Sequence, residues 1–302
     1  MSAGPSRWAG VLLWVVPALW STNYLIARAA TGVIAPHALA MGRWGLAALL
    51  LLPFTWRGLV QRREALRREW PHLLVLGVLG MWICGAWMYH GGQRTTATNM
   101  ALIYAVTPIA IAIVGARLLH ERMRVRQWFG AVLALAGLLV VIAQGDLERL
   151  RAVRFGSGDL WIVVAAASWV AYSVLLKHWR TELGPAERLV ATCAGALLVM
   201  LPFTVAEAWW QPMPPLGATA AGLVLAAAVL PGVLSYGAYS FLQRELGAAR
   251  TALMLYLTPV YAPLLAWGLL GEVPRWYHAL GALLILPSIA LATQPAPKAP
   301  VA

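Results

Sequence analysis

Ten times along this chain the sequence runs for roughly the 20 residues a helix needs to cross a bilayer, each time with few or no charged side chains. The runs fall at 8–28, 37–56, 71–91, 96–117, 125–143, 159–177, 188–206, 217–242, 248–270 and 276–293. Most are apolar on every side rather than along one stripe, so a helix built from them has no face to offer water. Lipid has to cover those faces. Composition agrees: 61% of the 302 residues are hydrophobic and 11% charged, where a soluble domain carries about a quarter charged residues. The gaps, punctuated by Thr31-Gly32, Gly184-Pro185 and Gln211-Pro212-Met213-Pro214-Pro215, are too short to fold as separate domains. The expected fold class is an all-α integral membrane protein of ten transmembrane helices. Met1–Trp8 leads into a run too long for a signal peptide, so the first helix is expected to be retained. The proline-bearing tail Gln294–Ala302 is expected to be disordered and cytoplasmic.

The net charge of +12 raises the question of a nucleic-acid partner, and the placement of the charge answers it. Arg57, Arg62, Arg63, Arg67 and Arg68 cluster in one hydrophilic gap, and Arg117, Arg122, Arg124 and Arg126 in another. Assigned to alternating sides, Arg28, Arg43, Arg94, Arg149, Arg151, Arg154 and Arg275 fall on one side and the other 16 of the 23 Lys and Arg on the opposite one. That bias marks a cytoplasmic face that holds both termini, not a nucleic-acid surface. Cys84 and Cys193 both lie inside apolar runs, which leaves no disulfide framework. Enzyme constellations are missing too. His120-Glu121 lacks the second histidine of a HExxH zinc site, and there is no Walker phosphate loop. Neither a metal nor another cofactor is expected.

An internal repeat organises the runs. A shift of 151 residues lays Ala101–Glu121 on Ala252–Glu272, matching Thr107-Pro108 to Thr258-Pro259 and Glu121 to Glu272; Gly130-Ala131 then meets Gly281-Ala282. A shift of 149 puts Trp20 on Trp169 and Arg28 on Lys177. Residues 8–143 and 159–293 therefore read as two five-helix repeats, joined by an extracytoplasmic linker at 144–158. Five crossings is an odd number, so the second repeat enters from the opposite side. Inverted repeats around a central cavity typify secondary transporters.

The blocks Ala18–Arg28, Ala97–Val141, Ser168–Lys177 and Leu246–Leu286 resemble the drug/metabolite transporter superfamily, in particular its ten-helix group built from two EamA domains. Within it, Leu19-Trp20-Ser21-Thr22 and the pair Trp169 and Tyr172 are similar to aromatic amino-acid exporters. The resemblance implies export of amino acids, large neutral or aromatic ones included, from a bacterial cytoplasm across the inner membrane through a central cavity. Before the first Thr-Pro the chain departs from those exporters, with Ala105, Val106 and Thr107 where they carry Tyr-Leu-Trp, so the pocket is expected to differ. A small-molecule substrate and membrane lipid are the expected partners, and the chain is expected to act as a monomer.

Candidate site residues follow from what a polar solute needs inside a low-dielectric slab. Trp20 and Trp169 occupy matching mid-membrane positions and read as paired aromatic walls, or as packing between helices; Tyr24 and Tyr172 lie on the same faces one turn on. Asn23 and Asn99, with Ser21, Thr22, Thr98, Tyr104 and Thr107, supply hydrogen-bonding groups for solute or for neighbouring helices. Trp82, Tyr89, Tyr236, Tyr239 and Tyr256 are further candidates from the third, eighth and ninth runs for which core packing is the stronger reading, and of these Tyr89 and Tyr239 complete the substrate-binding set. Pro108 and Pro259 interrupt helix bonding at twin positions and are the expected hinges. Glu121 and Glu272 are expected to cap helices or to pair with Arg122 or Arg275. Every carboxylate falls at a run end or in a gap, and only His90 approaches a buried titratable group. Transport without a proton relay, or with an unusual one, follows.

Overall fold

The computed structural model describes residues 6–92, 94–121, 123–210, 217–271 and 273–293. Crossing helices dominate it: α1 (Arg7–Ala30), α2 (Pro36–Gln61), α3 (Arg63–Gly92), α4 (Ala97–Ala105 and Thr107–Leu118), α5 (Val125–Ala143), α6 (Ser157–His178), α7 (Pro185–Trp210), α8 (Ala218–Leu246), α9 (Ala248–Leu270) and α10 (Trp276–Thr293). Among the described residues, nine helices are long and apolar enough to span a membrane, and α10 is a shorter apolar tenth. Side chains such as Phe54, Phe129, Leu160, Leu198 and Leu283 stand exposed on outward faces, where lipid is the only solvent that suits them. Glu272, Arg122 and the tail 294–302 lie outside the described residues, as does the Thr98 side chain.

Helix ends differ from those the apolar runs suggest. α2 continues to Gln61 and α3 begins at Arg63, so the cluster from Arg57 to Arg68 is almost wholly helical rather than a loop. Hydropathy finds the bilayer boundary, whereas Arg and Glu are good helix formers that carry a helix on into water. The linker at 144–158 likewise contains one helical stretch, Leu147–Arg151.

The repeats interlock. α1 packs on α8 and α9, α2 on α7, α3 on α6 and α7, and α4 on α6 and α9, leaving α5 and α10 paired at one side. That last pair approaches closely because glycines face each other: a Cβ added to Gly137 or Gly281 would lie 2.9 Å from the other's carbonyl oxygen. Four helices are irregular, in two symmetric pairs. α3 is π-helical over Val78–Trp87 and α8 over Ala228–Leu234, while α4 breaks at Val106 and α9 tightens to a 3-10 turn over Met254–Leu257. Pro231, Pro108 and Pro259 account for three of these, since a proline removes a ladder donor. In α3 the π stretch contains no proline. The irregular stretches of α3, α8 and α9 are mostly buried or half-buried, where such backbone is tolerated because protein or a cavity surrounds it, whereas the Val106 side chain at the α4 break is exposed.

Candidate solute-binding site

Between the repeats lies a cavity of about 370 Å³, inside the range of about 300–1,000 Å³ common for small-molecule sites. α1 supplies Trp20, Asn23 and Tyr24; α2 supplies Arg43 and Trp44; α3 supplies Cys84 and Met88. From α4 come Met100, Tyr104, Thr107 and Pro108, from α6 Trp169, from α8 Tyr236, and from α9 Tyr256, Thr258 and Pro259. The irregular helices thus build much of the wall. At the α4 break, Thr107 Oγ1 donates to the Tyr104 carbonyl at 2.8 Å and the Tyr256 hydroxyl donates to the Ala105 carbonyl at 2.9 Å. Ala105 and Tyr256 are related by the 151-residue repeat, so the two broken helices meet at their own breaks.

One end of the cavity is closed by rings. Trp20 and Trp169 meet edge to face at 5.3 Å, Trp20 lies 5.1 Å from Tyr239, and Trp169 stacks on Tyr172 at 5.4 Å. Tyr236 joins them at 6.0 Å from Trp20 and 5.8 Å from Tyr172. Hydrogen bonds hold this septum: the Tyr239 hydroxyl donates to Ser173 Oγ at 3.0 Å, and the Tyr236 hydroxyl to the Gly80 carbonyl at 2.6 Å. Beyond it, a second cavity of about 730 Å³ reaches the helix ends at Leu118, Lys177, Pro185 and Arg244, with Tyr172 in its wall. On the other side the central cavity extends to Tyr24, Met88 and Met100, close to the opposite ends of α1, α3 and α4. Tyr24 is half exposed there.

Below the septum, two bonds tie α6 to α8 within the second repeat, and a third joins the two repeats. Lys177 Nζ donates to the Gln243 carbonyl at 2.8 Å, Gln243 Nε2 donates to the Ser173 carbonyl at 2.9 Å, and Glu121 Oε2 accepts from the Ala249 backbone N–H at 3.3 Å. Glu121 therefore caps the start of α9. Gly247, at φ +88°, makes the turn there, and its position directly against the Glu121 carboxylate leaves no space for a Cβ.

Of the residues picked out by sequence, Trp20, Asn23, Tyr24, Tyr104 and Trp169 line the central cavity, with Pro108 and Pro259 at the breaks. Tyr89 stands behind Asn23, its hydroxyl donating to Asn23 Oδ1 at 2.9 Å. Tyr172 and Tyr239 belong to the septum. Asn99 is placed elsewhere: buried at the start of α4, its amide donates to Asp159 Oδ1 at 3.0 Å, to Asp159 Oδ2 at 3.1 Å and to the Arg154 carbonyl at 2.9 Å. Asp159 also accepts from Thr95 and from the Gly156 N–H. Asn99 therefore ties α4 to the start of α6, because a carboxylate near a helix N-terminus takes the donors it finds there.

Arg43 is the main residue missed. Sorted by sequence with the charges that mark one membrane side, it instead sits inside α2 and is 5% exposed. Nη2 donates to the Pro231 carbonyl at 2.8 Å and Nη1 to Asn23 Oδ1 at 3.3 Å, while the guanidinium lies 4.5 Å from the Trp44 ring and 5.9 Å from that of Tyr236. Among the described residues its Nε is buried without a partner, as is Trp44 Nε1. No carboxylate of the described residues pairs with Arg43. An arginine at mid-membrane costs about 2.5–3.5 kcal/mol on insertion scales, and ring contacts of this kind return about 0.5–2 kcal/mol. The signal was available: one arginine inside the apolar stretch Ala38–Leu52. Tyr236 and Tyr256, read from sequence as core, are buried yet also line the cavity.

Comparison with known proteins agrees with this architecture. The pattern of the EamA-like transporter family matches residues 8–143 and again 156–294. The chain is 28% identical to the uncharacterized transporter YyaM of Bacillus subtilis over 87% of this chain and 86% of that protein. It is 26% identical to a probable terminal-alkyne amino-acid exporter of Streptantibioticus cattleyicolor, over 96% and 94% respectively. A crystal structure at 21% identity superimposes with a TM-score of 0.78, covering 95% of this chain and 98% of the other, which shows a shared fold. With two matched repeats, ten apolar helices and a cavity between the halves, the chain belongs to the EamA-like transporter family and is a multi-pass membrane transporter.

Proposed function

We propose that this transporter is a secondary carrier that exports amino acids, large neutral or aromatic ones among them, across a bacterial inner membrane, working as a monomer with both termini in the cytoplasm. The observation that carries the reading is the arrangement of two cavities on either side of one aromatic septum, built around the symmetry-related Trp20 and Trp169. A carrier needs a site reachable from each side in turn, and a septum shared by two interlocked repeats can be opened by moving one against the other. The amino-acid exporter among the relatives supports the substrate class, as do walls of Trp and Tyr that suit an apolar side chain.

In this reading the structure is the state open toward the Tyr24 end, which the charge bias makes the extracytoplasmic side. The aromatic septum and the Glu121 cap, both shared between the repeats, form the closed inner gate. Pro108 and Pro259 are the hinges. Reconstitution in liposomes with a panel of labelled amino acids tests the proposal. Saturable flux for at least one large neutral or aromatic amino acid is expected; flux no higher than in empty vesicles for the whole panel would overturn it.

A further inference from the structure

We propose that Arg43 is the specificity-determining residue of the central site, and that it selects solutes carrying a carboxylate by accepting that group as its missing counter-ion. The inference rests on the carrier reading above and narrows its substrate class. A guanidinium has five N–H donors in a fixed fork. Among the described residues, acceptors occupy two of its nitrogens: Nη1, with Asn23 Oδ1, and Nη2, with the Pro231 carbonyl; both acceptors are neutral. Among the described residues Nε has no partner, and Trp44 Nε1 has none either. Arg43 and Trp44, each with one buried donor left without a partner, are thus part of the wall of a cavity that, among the described residues, holds no carboxylate to compensate the guanidinium charge.

A purely structural arginine would explain the bond to Pro231, which braces the irregular stretch of α8. It would not explain an ionised side chain where a neutral donor would brace the same carbonyl at lower desolvation cost. Arginine is the residue suited to planar carboxylate recognition. Asn23 extends the polar end of the site, held in orientation by the Tyr89 hydroxyl, and the rings of Trp20, Tyr104 and Trp169 are left for the rest of the solute. The arrangement favours amino acids and other carboxylates, and it repels cationic drugs.

The test measures the thermal stability of the full-length protein in lipid nanodiscs, titrated separately with L-phenylalanine, 3-phenylpropionate, L-phenylalaninamide and phenethylamine, in sodium chloride and in sodium gluconate. Both carboxylates are expected to stabilise wild type at concentrations at least tenfold below those the amide or amine requires. R43Q should abolish that preference, and R43K should keep it with weaker binding. Equal effects of acid and amide, stabilisation by none of the four, or a preference that survives in R43Q would each overturn the assignment. So would stabilisation by chloride that no carboxylate improves on, since the anion held would then be inorganic. If R43Q does not fold, the wild-type titrations and R43K decide. Carboxylate-selective stabilisation without flux in liposomes would remove the carrier reading and leave the Arg43 site standing, whereas equal flux of acid and amide would do the reverse.

Discussion

Asn23 and Asn99 are the same residue type, both inside apolar runs, and only their neighbours tell them apart. Asn23 faces the cavity and is gripped by Arg43 and Tyr89, whereas the Asn99 amide is taken up by Asp159 and the Arg154 carbonyl. Replacing Asn99 by Ala leaves a buried carboxylate short of a donor, which costs about 1–3 kcal/mol. Asn99→Ala should therefore lower the melting temperature while leaving the ranking of transported solutes intact, and competition profiles on the folded fraction check this. Trp20→Ala and Trp169→Ala should instead shift the profile toward bulkier solutes by removing a septum ring, with the larger effect on the ratio of kcat/KM values between substrates.

At the scale of helices, the breaks matter more than the regular turns. α4 and α9 each lose ladder bonds next to a Thr-Pro pair, and side-chain hydroxyls add bonds to the Tyr104 and Ala105 carbonyls at the α4 break. Tyr256→Phe removes the bond to the Ala105 carbonyl and should destabilise by about 1 kcal/mol, seen as earlier thermal unfolding. If the breaks are hinges, Pro108→Ala and Pro259→Ala should lower the turnover rate of exchange while KM changes little, because the site stays and its motion stiffens. The α5–α10 pair shows the opposite design, rigid contact through facing glycines. Gly137→Leu and Gly281→Leu should each destabilise by about 1–3 kcal/mol or more through overpacking, measured as loss of folded yield and thermal stability.

For the whole molecule, the inverted repeat demands that both chain ends lie on one face. With Cys84 and Cys193 replaced by Ser, Ser2→Cys and Ala302→Cys should react with a membrane-impermeant maleimide only in inside-out vesicles; opposite accessibility of the two ends would mean an odd number of crossings. Much of this scale was legible beforehand. Apolar runs of bilayer length announce membrane helices because no other structure satisfies the backbone in lipid. Thr107-Pro108 recurring as Thr258-Pro259 exposed the duplication, and Trp20 opposite Trp169 pointed to the residues that meet at its axis. What remained hidden depended on proximity between distant segments. Arg43 looks like a loop charge until α2 is seen to carry it to Asn23 and Pro231, and Asn99 looks like a ligand until α6 delivers Asp159. Hydropathy and repeat spacing are local or periodic quantities, so the sequence alone determined the number of helices, their duplication and their lipid faces. Which polar groups satisfy one another, and which are left buried without a partner, was decided only when tertiary packing brought helices from both repeats together.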